Sequence, residues 1–401
     1  MSRPLRAKPR SLSGATILQL VPALRDDPPG RAAVDIALAL LQSGARAIVA
    51  GDGGPLVGEL RAFGGEWLPM ANDTVNPFRL RSNARFLATL IAAERVDIVH
   101  AHSAGAAWSA LSAINRMPVF LVTSFPDRLA ADSWLSNRFS SSLARGTKVI
   151  APSSYISHAM LERYRIPAER ITVIPRSIDT SIFDPALVRQ DRVAALRRSW
   201  GVLPEMRVVF APGRIAPAHG QQTLIDAARL ILPPDGERNV AFVLAGDDRA
   251  DKSYTRTLRE RASAHGVDTL VRFVGPVGDM PTALAASDVM TVTAIEPPAS
   301  ARSIVQAQAL GRPVVATTVG VLPESVLAPP RMKEELRTGW LVRPGDATQL
   351  ARALNAALAM DVTAYEALGA RARQFAQFAF SPASVAEAIR GVYTSLLARD
   401  S

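Results

Sequence analysis

Short apolar runs alternate with stretches of helical periodicity along almost the whole chain. The helical stretches repeat apolar residues three and four positions apart, whereas the short runs are rich in β-branched residues. This alternation is typical of parallel β-α-β layers and not of a β-sandwich or a helix bundle. The predicted strands lie near residues 16–20, 47–50, 97–100, 119–123, 148–151 and 171–174 in the first half, and near 207–211, 240–244, 271–273, 289–293, 313–317 and 340–342 in the second.

The length of the chain predicts two domains. It has 401 residues, 48% of them hydrophobic, which is more than one ordinary core accommodates. Residues 173–185, VIPRSIDTSIFDP, mix Pro, Asp and Ser and are the predicted linker. We therefore predict an N-terminal domain over 1–180, a C-terminal domain over 181–380 and a terminal segment over 381–401, with an amphipathic helix at 385–398.

Composition excludes several kinds of chemistry. The chain has no Cys and five His, so disulfides, thiolate catalysis and Cys-ligated zinc are excluded. No apolar run approaches the roughly 18 residues of a membrane-spanning helix. The basic start and the apolar run after it imitate a signal peptide, but Gln19 and Pro22 interrupt that run, which reads equally well as a first strand. We predict a cytoplasmic protein without a cofactor.

The net charge of +10 is concentrated in the first half. Residues 1–180 contain 21 Lys and Arg against 14 Asp and Glu. Arg79, Arg81 and Arg85 stand among aromatic and leucine residues in the stretch FRLRSNARFLATLIAAERV. This pattern is compatible with peripheral binding to an anionic membrane, on the inner face of the plasma membrane. A solvated face of a core-packed helix is the alternative, and the isolated stretch favours it; no nucleic-acid motif accompanies the charge.

Residues 289–324 predict a strand, a Pro-rich loop and a helix. A helix that begins near residues 301–303 would direct unpaired N–H groups at whatever lies above the strand ends, and such groups favour a phosphate or diphosphate. The alternative is an ordinary crossover whose helix end is satisfied by water.

A series of short motifs then resembles one family over most of the chain. In order they are VDIVHAHS at 96–103, VIPRSID at 173–179, GRIAPAHG at 213–220, LAGDD at 244–248, VRFVGPVGDMPTALAASDV at 271–289 and GRPVVAT at 311–317. These motifs resemble the family 4 glycosyltransferases. The resemblance implies the GT-B fold, an α/β architecture of two facing Rossmann-like doubly wound parallel-sheet domains with an interdomain cleft. It also implies that the last helix packs back on the N-terminal domain.

The resemblance implies an activity as well. Members transfer a sugar from a nucleotide-diphosphate donor to an acceptor, here a glycan or a lipid-linked one, with retention of configuration and usually without an essential metal. They hold the donor phosphates with an Arg after Gly and a Lys before a later Gly. This chain has Gly213 and Arg214, but His219 at the Lys position. Arg214 offers a bidentate fork, whereas His219 contributes charge only when protonated. A surface ion pair for Arg214 and a neutral loop role for His219 are the alternatives.

The acidic residues of the family are replaced. Pro298 stands where the first Glu is expected and Gln306 where the second is. Glu296, two residues upstream, either takes over through a shifted loop or faces solvent. The catalytic candidates are thus Arg214, His219 and Glu296, and the predicted donor-binding residues are Gly213, Arg214, His219, Gly275, Ala301, Arg302, Ser303 and Gln306.

The N-terminal half departs from the family too. After the first strand, residues 27–29, Asp-Pro-Pro, replace small residues of a Gly-rich turn, and only Gly30 remains. Pro126 occupies the place of a His that lies near the reacting sugar in the family. His100 and His102 belong to an upstream loop, where a structural role is as open as a catalytic one.

The acidic group Asp247, Asp248 and Asp251 invites comparison with metal-binding carboxylates, but its fold context differs and we predict no metal site. The leading hypothesis is therefore a retaining glycosyltransferase. The alternative is a noncatalytic GT-B protein that keeps the cleft for binding, and a GT-B epimerase or phosphorylase is less favoured because VIPRSID and GRPVVAT resemble family 4 specifically.

Overall fold

The computed structural model describes residues 11–115, 117–127, 134–231, 239–249 and 251–398. They form two compact units. The first comprises the chain up to Ser177 together with the stretch from Pro382 onward, and the second comprises Ile178–Ser381. Each unit contains one parallel sheet with an apolar core on both faces. No helix in the described ranges is both long enough and apolar enough to cross a membrane.

The first unit has a seven-stranded sheet in the order β3-β2-β1-β4-β5-β6-β7. Its strands are β1 (Thr16–Ala23), β2 (Arg46–Asp52), β3 (Glu66–Pro69), β4 (Ile98–Ala101), β5 (Phe120–Ser124), β6 (Lys148–Ala151) and β7 (Ile171–Val173). Its helices are α1 (Pro28–Gln42), α2 (Leu56–Ala62), α3 (Pro77–Glu94), α4 (Ala104–Ala113), α5 (Trp134–Ser140), α6 (Ser154–Tyr164) and α14 (Pro382–Leu397), the labels following the order of the whole chain.

The C-terminal helix α14 belongs to the core of the first unit. Its residues Ile389 and Tyr393 are buried in the same cluster as Ala33 and Val34 of α1. Because helices cover both faces of the sheet, the central strand β1 is buried along nearly its whole length.

The second unit has a six-stranded sheet in the order β10-β9-β8-β11-β12-β13. Its strands are β8 (Arg207–Pro212), β9 (Val240–Ala245), β10 (Val271–Phe273), β11 (Val289–Val292), β12 (Val314–Thr317) and β13 (Gly339–Val342). Its helices are α7 (Gln190–Ser199), α8 (Gln221–Ile231), α9 (Lys252–Ala264), α10 (Met280–Ala285), α11 (Arg302–Ala309), α12 (Ala347–Leu358) and α13 (Val362–Phe380).

In each sheet, the strand that comes first in the sequence has the second strand on one side and a later strand on the other, so the order of strands reverses there. In the second unit the reversal falls between β8 and β11, which are paired in parallel. Ligands of open α/β sheets bind at such switch points, beyond the carboxyl ends of the strands. The loops that follow β8 and β11 are therefore the first place to look for a site.

The predicted alternation of strands and helices is confirmed, and every predicted strand is present. The prediction missed β3, because Glu66–Pro69 has only two central apolar residues and both are only partly buried. This strand lies at the edge of the sheet, where a weak apolar pattern suffices.

Candidate functional site

The loop after β8 is held by two close backbone approaches. The N–H of Gly213 donates to the carbonyl of Ala245 at 2.9 Å, which joins the ends of β8 and β9. A side chain at Gly246 would place its Cβ 1.8 Å from the carbonyl oxygen of Gly213. Gly213 itself has a φ of 144°, in the range that favours glycine. These two positions therefore require glycine, and they set the direction in which the chain leaves β8.

Arg214 comes next and is exposed. Its carbonyl accepts a hydrogen bond from the side-chain amide of Gln221 at 2.8 Å, which fixes the backbone below the guanidinium. The nearby carboxylate of Asp247 is held by Arg249, which lowers the pKa of Asp247 to about 2, with a smaller effect from Arg214. Within the described ranges the guanidinium of Arg214 has no hydrogen bond or ion pair, so it is available to an anion.

His219 ends a short 3-10 turn, Pro217–His219. Its carbonyl accepts a hydrogen bond from the hydroxyl of Thr293 at 2.9 Å, and its ring nitrogen Nδ1 lies 3.8 Å from where a Cβ on Gly213 would stand. Gly220 follows with a φ of 68°, and a Cβ there would lie 1.9 Å from the carbonyl oxygen of Thr293. The structure thus locks the turn that carries His219 against the loop after β11.

The start of α11 lacks a side-chain cap. Ala301 is the N-cap residue and offers no hydrogen bond, and the first turn contains no acidic residue. Helices α9, α10, α12 and α13 of the same unit are each capped by an aspartate, at Asp251, Asp279, Asp346 and Asp361. The N–H groups of residues 301–303 therefore have no acceptor from a capping side chain, and an anion would satisfy them. Of these residues, Arg302 is exposed and Ser303 half-buried.

Gln306 lies one turn farther along α11. It is 9% exposed, and its amide makes no hydrogen bond within the ranges that the structure describes. The amide is not among the side-chain groups that are wholly shut off from solvent, so water can satisfy it, and a ligand hydroxyl can take the place of that water. A sequence pattern does not show this lack of a protein partner, which becomes visible only once the neighbours are placed.

Three other positions were singled out from the sequence, two of them in the loop after β11 and one after β10. Glu296 is exposed, and its N–H donates to the carbonyl of Ala218 at 3.2 Å. Pro298 is half-buried in the same loop. Gly275 follows β10 with a φ of 72°, and a Cβ there would meet no atom within 4 Å. The structure thus joins the loop of Arg214 and His219 to that of Glu296, whereas Gly275 follows the edge strand β10.

The equivalent turn of the first unit is closed. Asp27 is the N-cap of α1, and its carboxylate accepts from the N–H of Gly30 at 2.9 Å. A Cβ on Gly30 would lie 2.1 Å from the carbonyl oxygen of Arg25, which explains why a glycine stands here. This helix start already holds a carboxylate of its own chain, so it does not offer an anion site.

Pro126 stands at the position of the family His, and the residue after it forms an ion pair that the motifs did not indicate. Pro126 is exposed after β5, and the next residue, Asp127, accepts from Nε of Arg176 at 3.0 Å. Arg176 also donates to the carbonyl of Phe125 at 3.0 Å. The only signal in the sequence was an Arg in the motif VIPRSID, which carries no spacing information about Asp127.

His100 and His102 lie at the carboxyl end of β4, and their ring centroids are 4.0 Å apart. Burial, then the neighbouring charges of His102 and Arg176, holds the pKa of His100 well below its ordinary value. Burial and then Arg176 lower the pKa of His102 to about 3. Both imidazoles are therefore neutral at physiological pH. The ring of His100 is bonded at both nitrogens to Tyr393 and Ser124, which favours its structural role.

The acidic group after β9 has other partners. Asp247 binds Arg249, and Asp251 caps α9 through the N–H of Tyr254 at 3.0 Å. Across the described ranges, three or more His, Cys, Asp or Glu side chains do not gather in a way that could hold a metal ion.

Comparison with known proteins identifies the class. The sequence model of Glycosyltransferase Family 4 matches residues 30–182, and that of Glycosyl transferases group 1 matches residues 206–360. Together they cover both units. The chain belongs to the family 4, group 1 glycosyltransferases.

Curated relatives match part of the chain. Over 243 residues it is 28% identical to a D-inositol 3-phosphate glycosyltransferase of Corynebacterium glutamicum, with 60% of this chain and 55% of the relative covered. Over 232 residues it is 30% identical to a protein of the same name from Jonesia denitrificans, with 57% and 52% covered. The chain thus spans about half the length of the curated relatives it matches.

Solved structures match nearly the whole of this chain. A glycosyltransferase from Rickettsia africae gives a TM-score of 0.77 at 25% identity, over 96% of this chain and 99% of the other. HepE of Anabaena, solved in complex with UDP, gives a TM-score of 0.71 at 23% identity, over 95% and 100%. These likenesses, with the two parallel sheets, establish the GT-B fold class.

Proposed function

We propose that this protein is a retaining glycosyltransferase that moves a sugar from a nucleotide-diphosphate donor to a lipid-linked or cell-surface glycan acceptor. The observation that carries the proposal is the joining of the loop that holds Arg214 and His219 to the loop that leads into the uncapped α11. Both loops lie at the switch point of the second sheet. A diphosphate is the ligand whose charge this arrangement matches.

Transfer breaks the bond between the anomeric carbon and the diphosphate oxygen. The acceptor hydroxyl passes its proton to the departing diphosphate and forms the new bond on the same face of the sugar. Negative charge then grows on the departing diphosphate, and it must be stabilised by groups that are already in place. Arg214 supplies a fork of two donors, residues 301–303 supply N–H groups, and His219 supplies a second cation when it is protonated. Exposed Arg302 adds positive charge at the helix start.

Gln306 takes the place of the carboxylate that accepts from the donor ribose in the family. Its amide can accept one hydroxyl proton and donate to a second oxygen. A neutral acceptor binds more weakly than a carboxylate, by about 1 to 2 kcal/mol. We therefore expect this site to bind the donor more weakly than the same site would with a carboxylate at position 306.

The comparisons suggest the first ligands to test. HepE was solved with UDP and with UDP-glucose, so uridine nucleotides head the donor panel. The curated relatives are named for D-inositol 3-phosphate, so a phosphorylated polyol belongs in the acceptor panel beside lipid-linked glycans. We place the protein in the cytoplasm, peripheral on the inner face of the plasma membrane.

Calorimetric titration with UDP-, GDP- and ADP-sugars tests the proposal. We expect one nucleotide class to bind, and Arg214→Ala to weaken that binding by about 1.5 to 3 kcal/mol. Arg256→Ala is the matched control, because Arg256 is also exposed in the second unit but lies on α9. No binding of any nucleotide would overturn the donor site, and equal affinity in the folded Arg214→Ala variant would remove Arg214 from it.

One set of observations favours a second function, a noncatalytic protein that binds the donor. The closed start of α1, Pro126 in place of the family His, and Pro298 and Gln306 in place of the acids all remove groups that transfer uses. Such a protein would bind a nucleotide without releasing nucleoside diphosphate.

A further inference from the structure

Helix α3 of the first unit has two distinct faces. Leu80, Ala84, Leu87 and Ile91 are buried, and the carbonyl of Leu80 lies 3.5 Å from the hydroxyl of Ser109 on α4. The opposite face carries large side chains out into solvent. We call this face, together with the residue before the N-cap, the α3 surface, and define it by Val75, Phe78, Arg79, Arg81, Arg85 and Phe86.

The α3 surface exposes three large apolar side chains. Phe78 is 78% exposed, Phe86 is 48% exposed, and Val75 is 76% exposed. Single exposed apolar residues need no explanation, but two aromatic rings on one side of one helix do. Eight residues separate the two rings, which is about 12 Å along the helix axis. A helix lying flat on a surface would therefore place both rings into it.

The charge of the α3 surface has one sign. Arg79, Arg81 and Arg85 are exposed, and within the described ranges none of them has an ion pair. Between the flanking acids Asp73 and Glu94 there is no acidic residue. Asp73 is exposed, whereas Glu94 is bound by Arg46 at 2.6 Å. Three uncompensated cations thus surround two exposed rings.

We propose that the α3 surface docks on an anionic lipid bilayer, with Phe78 and Phe86 inserted among the acyl chains and the three arginines on lipid phosphates. An interfacial helix needs this combination, because apolar rings gain free energy below the headgroups while cations gain it at the negative surface. A nucleic acid would use the arginines but would leave isolated rings without a stacking platform. A protein partner would need a groove that accepts two rings 12 Å apart and three acceptors around them.

This inference deepens the membrane location proposed above and rests on it, but it concerns the first unit alone and needs neither donor nor turnover. It specifies which surface would bring the protein to a lipid-linked acceptor. Lipid binding and nucleotide binding can therefore fail or succeed separately.

Co-sedimentation with vesicles tests the proposal on the full chain. One set of vesicles mixes phosphatidylglycerol into phosphatidylcholine, and the other contains phosphatidylcholine alone. We expect binding to the anionic vesicles only. The triple variant Arg79→Gln, Arg81→Gln, Arg85→Gln should lose about a hundredfold of that affinity at low salt. The double variant Phe78→Ser, Phe86→Ser should lose about tenfold or more, and this loss should persist across salt concentrations.

The matched controls lie on the second unit. Phe378→Ser removes an aromatic ring that is 80% exposed, and Arg198→Gln, Arg256→Gln, Arg352→Gln removes three exposed cations from other helices. Both controls should bind vesicles as the parent protein does. Circular dichroism and nucleotide titration establish that each variant is folded.

Three results would overturn the proposal. They are equal binding to neutral vesicles, unchanged vesicle binding in the arginine variant, and unchanged binding in the phenylalanine variant. In the last case, competition by duplex DNA would identify a general polyanion patch. If one of these results is obtained and the protein still binds the nucleotide, the proposed donor site is retained and only the proposed lipid-binding surface is rejected.

Discussion

The Nδ1 atom of His100 lies 2.6 Å from the hydroxyl oxygen of Tyr393, and this buried hydrogen bond joins β4 to α14. The other ring nitrogen lies 2.8 Å from the hydroxyl of Ser124 at the end of β5. One neutral imidazole therefore links three elements that are far apart in the chain. The last helix is attached to the first unit by a polar contact as well as by its apolar face.

Removing the hydroxyl should loosen that attachment. Tyr393→Phe keeps the ring in the core but leaves Nδ1 of His100 without its partner, at a cost of about 1 to 2 kcal/mol. Urea unfolding measures the loss as a lower midpoint. Tyr155→Phe is the control, because Tyr155 is 41% exposed and water can reach any group that loses its hydroxyl. If Tyr393→Phe unfolded at the same urea concentration as the parent protein, the hydrogen bond between His100 and Tyr393 would make no net contribution to the free energy of unfolding.

The two buried histidines should make stability depend on pH below neutrality. Both have folded-state pKa values below the ordinary imidazole value, which for His102 is about 3. In the unfolded chain they take up protons near pH 6.5, so below that pH the unfolded state binds more protons than the folded state. The contribution of the two neutral histidines to the free energy of unfolding is therefore fully present above pH 6.5. It is lost as the pH falls toward their pKa values in the folded protein. Each histidine contributes a slope of up to about 1.4 kcal/mol per pH unit.

Unfolding free energies measured from pH 7.5 down to 5 check this slope before most carboxylates titrate. His102→Gln should reduce the slope relative to that of the parent protein. An identical slope in the two proteins would contradict the role of His102 in this pH dependence.

Local pattern predicted the strands because both sheets are parallel and covered on two faces, so nearly every strand is a continuous apolar run. The missed strand β3 lacks that run, since Glu66–Pro69 begins and ends on exposed residues. The start of α11 was also predictable, because a helical spacing begins after a Pro-rich loop.

Long-range contacts were not predictable in the same way. The bond between Thr293 and His219 joins residues 74 apart in the chain, and the pair of Arg176 and Asp127 joins residues 49 apart. Neither separation is related to the repeat of a helix or of a strand. A single sequence therefore contains no local pattern that predicts these two contacts. The amide of Gln306 is a similar case, because its lack of a protein partner within the described ranges is a property of the packed structure.

His219 should make donor binding depend on pH. If its imidazole binds a phosphate, the protonated form binds better, so affinity should fall as the pH rises from about 6 to 8. His219→Lys should flatten this dependence, because an ammonium group keeps its charge over that range. Titrations with the preferred nucleotide at several pH values give the comparison. If the parent and His219→Lys gave superimposable profiles, His219 would have no role as a phosphate ligand.

Release of nucleoside diphosphate separates an enzyme from a protein that only binds. An active protein must meet the charge of the leaving diphosphate with Arg214, the start of α11 and His219, so slow transfer or donor hydrolysis should be detectable with membrane extract as the acceptor source. Arg214→Ala should abolish this release, whereas Arg256→Ala should leave it unchanged. In a noncatalytic protein, Gln306→Glu should raise donor affinity by about 1 to 2 kcal/mol without creating a rate. Turnover that survives Arg214→Ala would contradict the site, and tight binding without turnover by any donor would decide for the noncatalytic function.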